Sequence, residues 1–181
     1  MEDMDHANLA ADVNAACRLS GQFRLRSGQL SNEYFDKYLF ESDPSLLRRV
    51  SQVMVPLIPS DTDLLGGLEL GGVPIAAVLG QITGLPTVFV RKEAKKYGTC
   101  RLAEGAGVAG RTVTLIEDVI TTGGAVRNAA LALRGDSASV STVICAIDRR
   151  PEAGDVLDEV SVAVLAVMTK SELDAAHGLH T

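Results

Sequence analysis

The sequence predicts an α/β domain with a mainly parallel central sheet flanked by helices. Segments with apolar residues at helical spacing alternate with short apolar runs, the pattern of strands feeding helices. The 181 residues fit one domain, spanning 1–181, and can bury two packed layers; 46% hydrophobic and 22% charged is ordinary composition for such a chain. No repeat, low-complexity tract or linker rich in Pro, Gly or Ser breaks the alternation.

Each element has a local reason. A first helix is expected over His6–Leu19, with Leu9, Val13, Ala16 and Cys17 on one face and Gly21 as its stop. Phe23–Leu25 and Tyr34–Leu39 read as short strands around a Ser27-Gly28 turn. Ser42-Asp43-Pro44 offers a cap and a first-turn proline, and Leu46, Leu47, Val50, Val53, Met54 and Leu57 follow at helical spacing. Asp63–Leu68 is a strand, Val73–Thr83 a helix closed by Gly84, and Pro86–Val90 a strand. Glu93–Gly110 is polar, with Gly98, Gly105, Gly107 and Gly110 and no clear period, so it predicts a long functional loop. Thr112–Ile116 is a buried strand ending at Glu117 and Asp118; Gly123-Gly124 opens a helix running to about Arg134. Val140–Ile147 and Val160–Met168 are the last strands, before a tail helix from Ser171.

Composition narrows the chemistry. The three histidines are His6, His177 and His180, so the interior has no imidazole for a Ser-His-Asp triad, a Cys-His pair or a His-rich zinc site. Cys17, Cys100 and Cys145 are odd in number and far apart, which suits a reducing interior. There is no apolar stretch long enough to span a membrane and no basic leader at the start, so a soluble, cytoplasmic protein is expected. The net charge of -6 argues against nucleic acid as a partner. Yet Arg91, Lys92, Lys95, Lys96 and Arg101 fall within eleven residues that hold one acid, Glu93. That concentration suits a small polyanion, although a solvated face is the plainer reading of such a cluster alone.

The most informative segment is Thr112–Ala125. A buried strand delivers two adjacent carboxylates, then two hydroxyls and two glycines lead into a helix. Glycines allow a tight turn and close approach of backbone to ligand. Helix N-terminal amides favour a phosphate, and Thr121 and Thr122 add hydroxyl donors. Carboxylates beside a phosphate repel it unless something electropositive lies between, either ribose hydroxyls or a magnesium ion. The segment therefore asks for a sugar phosphate. It is neither a G-x-x-x-x-G-K-[ST] loop nor a G-x-G-x-x-G turn.

This segment resembles the phosphoribosyl-pyrophosphate signature of the type I phosphoribosyltransferases. FVRKEAKKYGT (Phe89–Thr99), FRLRSGQLSNEYFD (Phe23–Asp36), LELGGVPIA (Leu68–Ala76) and IDR (Ile147–Arg149) resemble the orotate phosphoribosyltransferases in particular. The blocks stand in the family's order and cover most of Gly21–Arg150. The resemblance implies a Rossmann-like type I phosphoribosyltransferase fold with a small N-terminal hood, roughly residues 1–40, and a mobile catalytic loop, roughly 93–110. It implies transfer of ribose 5-phosphate from phosphoribosyl pyrophosphate to orotate, with magnesium, in a homodimer with shared active sites.

The resemblance also implies roles. Glu117, Asp118, Val119, Ile120, Thr121, Thr122, Gly123, Gly124 and Ala125 would cradle the ribose 5-phosphate, the two acids holding the ribose hydroxyls. Arg26, Arg91, Lys92, Lys95 and Lys96 would engage the pyrophosphate. Thr121, Arg149, Tyr34 and Phe35 would hold orotate. Lys95, Lys92 and Asp118 would carry the catalysis, and no protein ligand is assigned to the metal, which the substrate mainly holds. Three positions depart from the family's pattern: Tyr97 stands where many members have His, Gly71 where some have Lys, and Ala125 where Ser or Thr is frequent. A purine-base phosphoribosyltransferase and a non-catalytic sensor of phosphoribosyl pyrophosphate are the alternatives. Arg149 speaks against a purine, which offers no carboxylate to pair with it.

Overall fold

In the computed structural model, residues 2–25, 27–93, 102–151 and 156–176 are described, residues 2–7 for their backbone only. Helix α1 (Glu2–Cys17) leads into an antiparallel hairpin of β1 (Arg18–Arg24) and β2 (Leu30–Phe35). Gly21 does not stop the helix; it lies inside β1, where the register shifts between Ser20 and Phe23. The second expected strand also starts earlier and ends sooner than Tyr34–Leu39. Asp36 accepts a hydrogen bond from the Tyr38 amide (3.1 Å), and that local cap converts the following residues into a short helix, α2 (Tyr38–Ser42).

Helix α3 (Pro44–Met54) starts as expected, with the Asp43 carboxylate accepting from the amides of Ser45 (2.8 Å) and Leu46 (3.0 Å). A turn of 3-10 helix, Val55–Leu57, carries the apolar spacing to its end. Then follow β3 (Leu64–Leu68), α4 (Gly72–Thr83), β4 (Thr87–Val90), β5 (Ala103–Gly105), β6 (Val113–Ile120), α5 (Gly124–Gly135), β7 (Thr142–Asp148), β8 (Ala163–Thr169) and α6 (Lys170–Ala176). Two boundaries correct the expectation. β6 continues through Glu117 and Asp118, because both acids pair in register with β7 or lie between residues that do. The polar stretch after Val90 contains β5, which pairs antiparallel to β4; there is more regular structure there than its glycines suggested.

The sheet order is β5-β4-β3-β6-β7-β8, parallel except at the β5 edge. Alternate strand residues serve opposite faces. Leu65, Ile116 and Ile144 face α1, α3, α4 and α6, whereas Leu64, Leu115 and Val143 face α5. Burial on both faces explains why β3 and β6 read as nearly continuous apolar runs. The chain leaves β3 toward β4 and leaves β6 toward β7, so the strand order reverses between the adjacent β3 and β6. Ligands bind at the carboxyl ends of strands at such a switch point. Here those ends are Leu68–Gly72 and Ile120–Gly124.

Candidate active site

The turn after β6 is built as its residues dictate. Gly123 takes φ +75°, a backbone that favours glycine, and precedes the first residue of α5. The first bond of the helix is from the Arg127 amide to the Gly123 carbonyl (2.9 Å), leaving earlier amides free of helical partners. Glu117, Val119, Ile120, Thr121, Thr122, Gly123, Gly124 and Ala125 line one small hollow of about 60 Å³. Every position expected to hold the ribose 5-phosphate, apart from the Asp118 behind it, therefore faces one concavity.

Asp118 is fully buried near the end of β6, beside the turn that follows β3, and what surrounds it was not expected. The Lys37 ammonium, at the start of α2, forms an ion pair with Asp118 Oδ2. Glu41, one helical turn beyond Lys37, is buried, and its Oε1 has no hydrogen-bond partner among the described residues. Burial, and then the neighbouring charge of Asp118, push Glu41 up to about 8 and Glu117 up to about 9. Burial works against the Asp118 charge as well, but Glu117, Glu41 and Lys37 outweigh it and hold that carboxyl below its usual range. The cluster thus favours the charged form of Asp118 and the neutral forms of Glu41 and Glu117.

This arrangement fixes a sign. Glu41 and Glu117 keep their protons when folded and release them near pH 4.5 when unfolded, so their contribution to stability is full below that pH. It declines as pH rises toward 8 and 9. The lowered Asp118 acts oppositely, but only in acid. Between pH 5.5 and 7.5 the stability of the ligand-free protein should fall with pH, by up to about 1.4 kcal/mol per unit for each group. Urea titrations at the two pH values should show this, with Glu41→Gln flattening the slope; a rising slope would rule it out.

Gly71 also acquires a different meaning. A Cβ built there would collide with the Asp118 carboxylate and stand 2.6 Å from Glu41 Oε1. Gly71 is thus a necessity of close approach, and a cation reaches this corner from Lys37 instead. A Cβ at Gly72 would likewise strike the Ile116 carbonyl, so both glycines let the start of α4 lie against β6.

Around the turn, Ile120 pairs with Asp148 across β6 and β7, and the Arg149 amide donates to the Ile120 carbonyl (2.8 Å). Thr121 and Arg149 therefore leave neighbouring strands side by side. The Arg149 guanidinium lies over the Phe35 ring, 5.6 Å from its centroid. Tyr34, Phe35 and Arg149 share a hollow of about 350 Å³ with Arg18, Glu33 and Asp174. The Asp148 carboxylate accepts from the guanidinium of Arg150, two residues on (Nε to Oδ1 3.0 Å, Nη2 to Oδ2 2.7 Å), which stiffens the loop that presents Arg149.

On the other side of the turn, Arg91 and Lys92 follow β4 with exposed side chains. They share a hollow of about 430 Å³ with Ala125, which also lines the phosphate-sized hollow, so the two spaces meet at the start of α5. The Lys92 amide donates to Glu69 Oε2 (3.0 Å), tying the end of β4 to the turn after β3. Arg26, Lys95, Lys96 and Tyr97 lie outside the described residues, as does most of the first half of the expected loop. Sequence reasoning missed Lys37 and Glu41. Their signal was available in Asp36-Lys37 followed by Glu41, a cap with two charged residues four apart on one helical face.

No family model matches the chain. An orotate phosphoribosyltransferase from Nocardioides sp. is 65% identical over 170 residues, 94% of this chain and 95% of that one. Another, from Methanocella arvoryzae, is 39% identical over 153 residues, 84% of this chain and 87% of that one. Among solved structures, Mycobacterium tuberculosis orotate phosphoribosyltransferase in complex with 5-phospho-alpha-D-ribosyl 1-diphosphate is similar with a TM-score of 0.77 at 25% identity, over 94% of this chain and 99% of that one. An adenine phosphoribosyltransferase, at 22% identity and a TM-score of 0.63, covers 88% of this chain and 99% of that one and shares the fold.

Proposed function

This chain belongs to the orotate phosphoribosyltransferase family, and from that premise we propose that it transfers ribose 5-phosphate from phosphoribosyl pyrophosphate to orotate in pyrimidine biosynthesis. The observation that carries the choice of base is the Arg149 guanidinium stacked on Phe35 beside the phosphate-sized hollow. A planar guanidinium pairs with a carboxylate through two hydrogen bonds, and the ring beneath it supports a flat heterocycle.

The roles follow from position. Helix amides of α5 with Thr121 and Thr122 take the 5-phosphate, while Glu117 and Asp118 hold the ribose hydroxyls. Arg26, Arg91, Lys92, Lys95 and Lys96 neutralise the pyrophosphate. Orotate N1, its proton released to solvent, forms its bond to the anomeric carbon as the bond to pyrophosphate breaks, and the departing anion keeps the electron pair. Charge stabilisation is therefore the protein's main task, and fixed cations meet it without an imidazole. Magnesium suits a place on the substrate's own pyrophosphate and ribose oxygens. The donor set supports this, because Asp118 already pairs with Lys37 and Glu117 keeps its proton at neutral pH. There the ion would add positive charge against the leaving group.

Other parts of the reading have their own support. The buried thiols of Cys17 and Cys145 suit the cytoplasm. Among the described residues no helix is long and apolar enough to cross a membrane. Leu70, at the turn after β3 and 58% exposed, suits a site completed by a second copy in a homodimer.

The test is loss of orotate absorbance with magnesium and phosphoribosyl pyrophosphate, run beside hypoxanthine and adenine. Consumption of a purine in place of orotate would favour the purine-base reading, and consumption of no base the sensor. Arg149→Ala should raise the KM for orotate by roughly a hundredfold, the cost of an unpaired charge, and leave the KM for phosphoribosyl pyrophosphate within about threefold. Initial rates with each substrate varied in turn will check this.

A further inference from the structure

Resting on that reading, we propose that Lys37 is a positioning residue for the donor sugar, fixing the Asp118 carboxylate as an acceptor for the ribose hydroxyls. Asp118 is completely buried, and a buried carboxylate keeps its charge and its place only with a partner. Lys37 is the cation that the described structure pairs with it. The other near neighbours are acidic: Glu117 precedes it in β6, and Glu41 Oε1 and Asp118 Oδ2 crowd the same side of Gly71. Without the ammonium, Asp118 would face two acids across a turn that has no room to take it up.

The placement of Lys37 is itself built. The Asp36 amide donates to the Cys17 carbonyl (2.8 Å), anchoring the end of β2 to the end of α1. The Asp36 carboxylate then caps α2, which sets Lys37 and Glu41 one turn apart, both toward β6. Phe35, two residues before Lys37, lies under Arg149. One short segment therefore touches the acceptor side through Phe35 and the donor side through Lys37. The Lys37 ammonium also stands 5.3 Å from the centroid of the Tyr38 ring, a further favourable contact for the cation.

A positioning role and a merely structural ion pair differ in what they move. Losing an oriented acceptor for the ribose weakens the donor side of the site, so the KM for the donor rises while the KM for orotate holds. Losing a structural pair lowers thermal stability and disturbs both substrates. Lys37→Met should raise the KM for phosphoribosyl pyrophosphate roughly ten- to hundredfold and leave the KM for orotate within about threefold. Lys37→Arg should recover most of the loss. Calorimetric titration with phosphoribosyl pyrophosphate alone, without orotate, should show the same weakening.

Unchanged donor affinity in Lys37→Met overturns the proposal, as does an equal rise in both KM values. If that variant does not fold, Lys37→Gln is measured against the same criteria; if neither folds, Lys37 is a folding residue and the proposal fails. Wild-type protein that binds phosphoribosyl pyrophosphate but consumes no orotate would refute the proposed reaction instead. The calorimetric comparison would still decide the role of Lys37.

Discussion

Lys95→Ala is expected to lower turnover by about 10²–10³-fold, the usual cost of removing one group that stabilises charge developing in the transition state. The KM for each substrate should change by less than about fivefold. The reasoning starts from the reaction. As the bond between the anomeric carbon and pyrophosphate breaks, negative charge grows on the leaving oxygen, and only a cation stronger in its effect there than on bound substrate accelerates the step. The chain supplies Arg91, Lys92, Lys95 and Lys96 within six residues, whereas the proposed site for the 5-phosphate is the separate hollow at the turn after β6. Four cations near one polyanion share ground-state binding, so deleting one weakens binding little. Lys95 is the one the resemblance assigns to the reacting bond. Steady-state rates and a single-turnover experiment with saturating donor will check the split. A donor KM that rises in step with the fall in turnover would make Lys95 a binding residue only.

Much of this was legible in the sequence, for identifiable reasons. The strands that become β3 and β6 could be placed because they are buried on both faces and so read as unbroken apolar runs, each followed by glycines. The turn proposed for the phosphate drew notice because Thr121–Gly124 sets hydroxyls and glycines in consecutive residues before a helix. The acceptor end was less direct: Arg149 and Phe35 are remote in sequence, and only the family resemblance joined them before the fold did. What escaped notice depended on packing. The cap by Asp36 turned an expected strand into α2, and with it brought Lys37 and Glu41 to Asp118. A lysine and a glutamate in a polar stretch look like solvated surface until the element that carries them is docked. Nor could sequence show that Gly71 has no space for a side chain, since that crowding comes from β6 and α2, both distant in the chain.

Gly71→Ala puts that crowding to the test and should damage the site. The added Cβ would overlap the Asp118 carboxylate and press on Glu41 Oε1, and neither acid has an easy retreat. Asp118 is fully buried, its Oδ1 accepts from the Val119 amide (2.6 Å), and its Oδ2 pairs with Lys37. Moving the carboxylate breaks these contacts together and removes an acceptor from the ribose. Overpacking of this kind costs about 1–3 kcal/mol, a fall of several degrees in Tm for a domain of this size. The loss of donor binding should be larger, roughly a hundredfold or more, since an oriented charge is misplaced as well. Gly135→Ala, at the end of α5 with nothing within 4 Å of the added Cβ, is the matching control and should change neither stability nor affinity appreciably. Thermal melts and calorimetric titration of the two variants with phosphoribosyl pyrophosphate will check this. If Gly71→Ala binds the donor as tightly as wild type, the Asp118 carboxylate is free to move and does not define the ribose site.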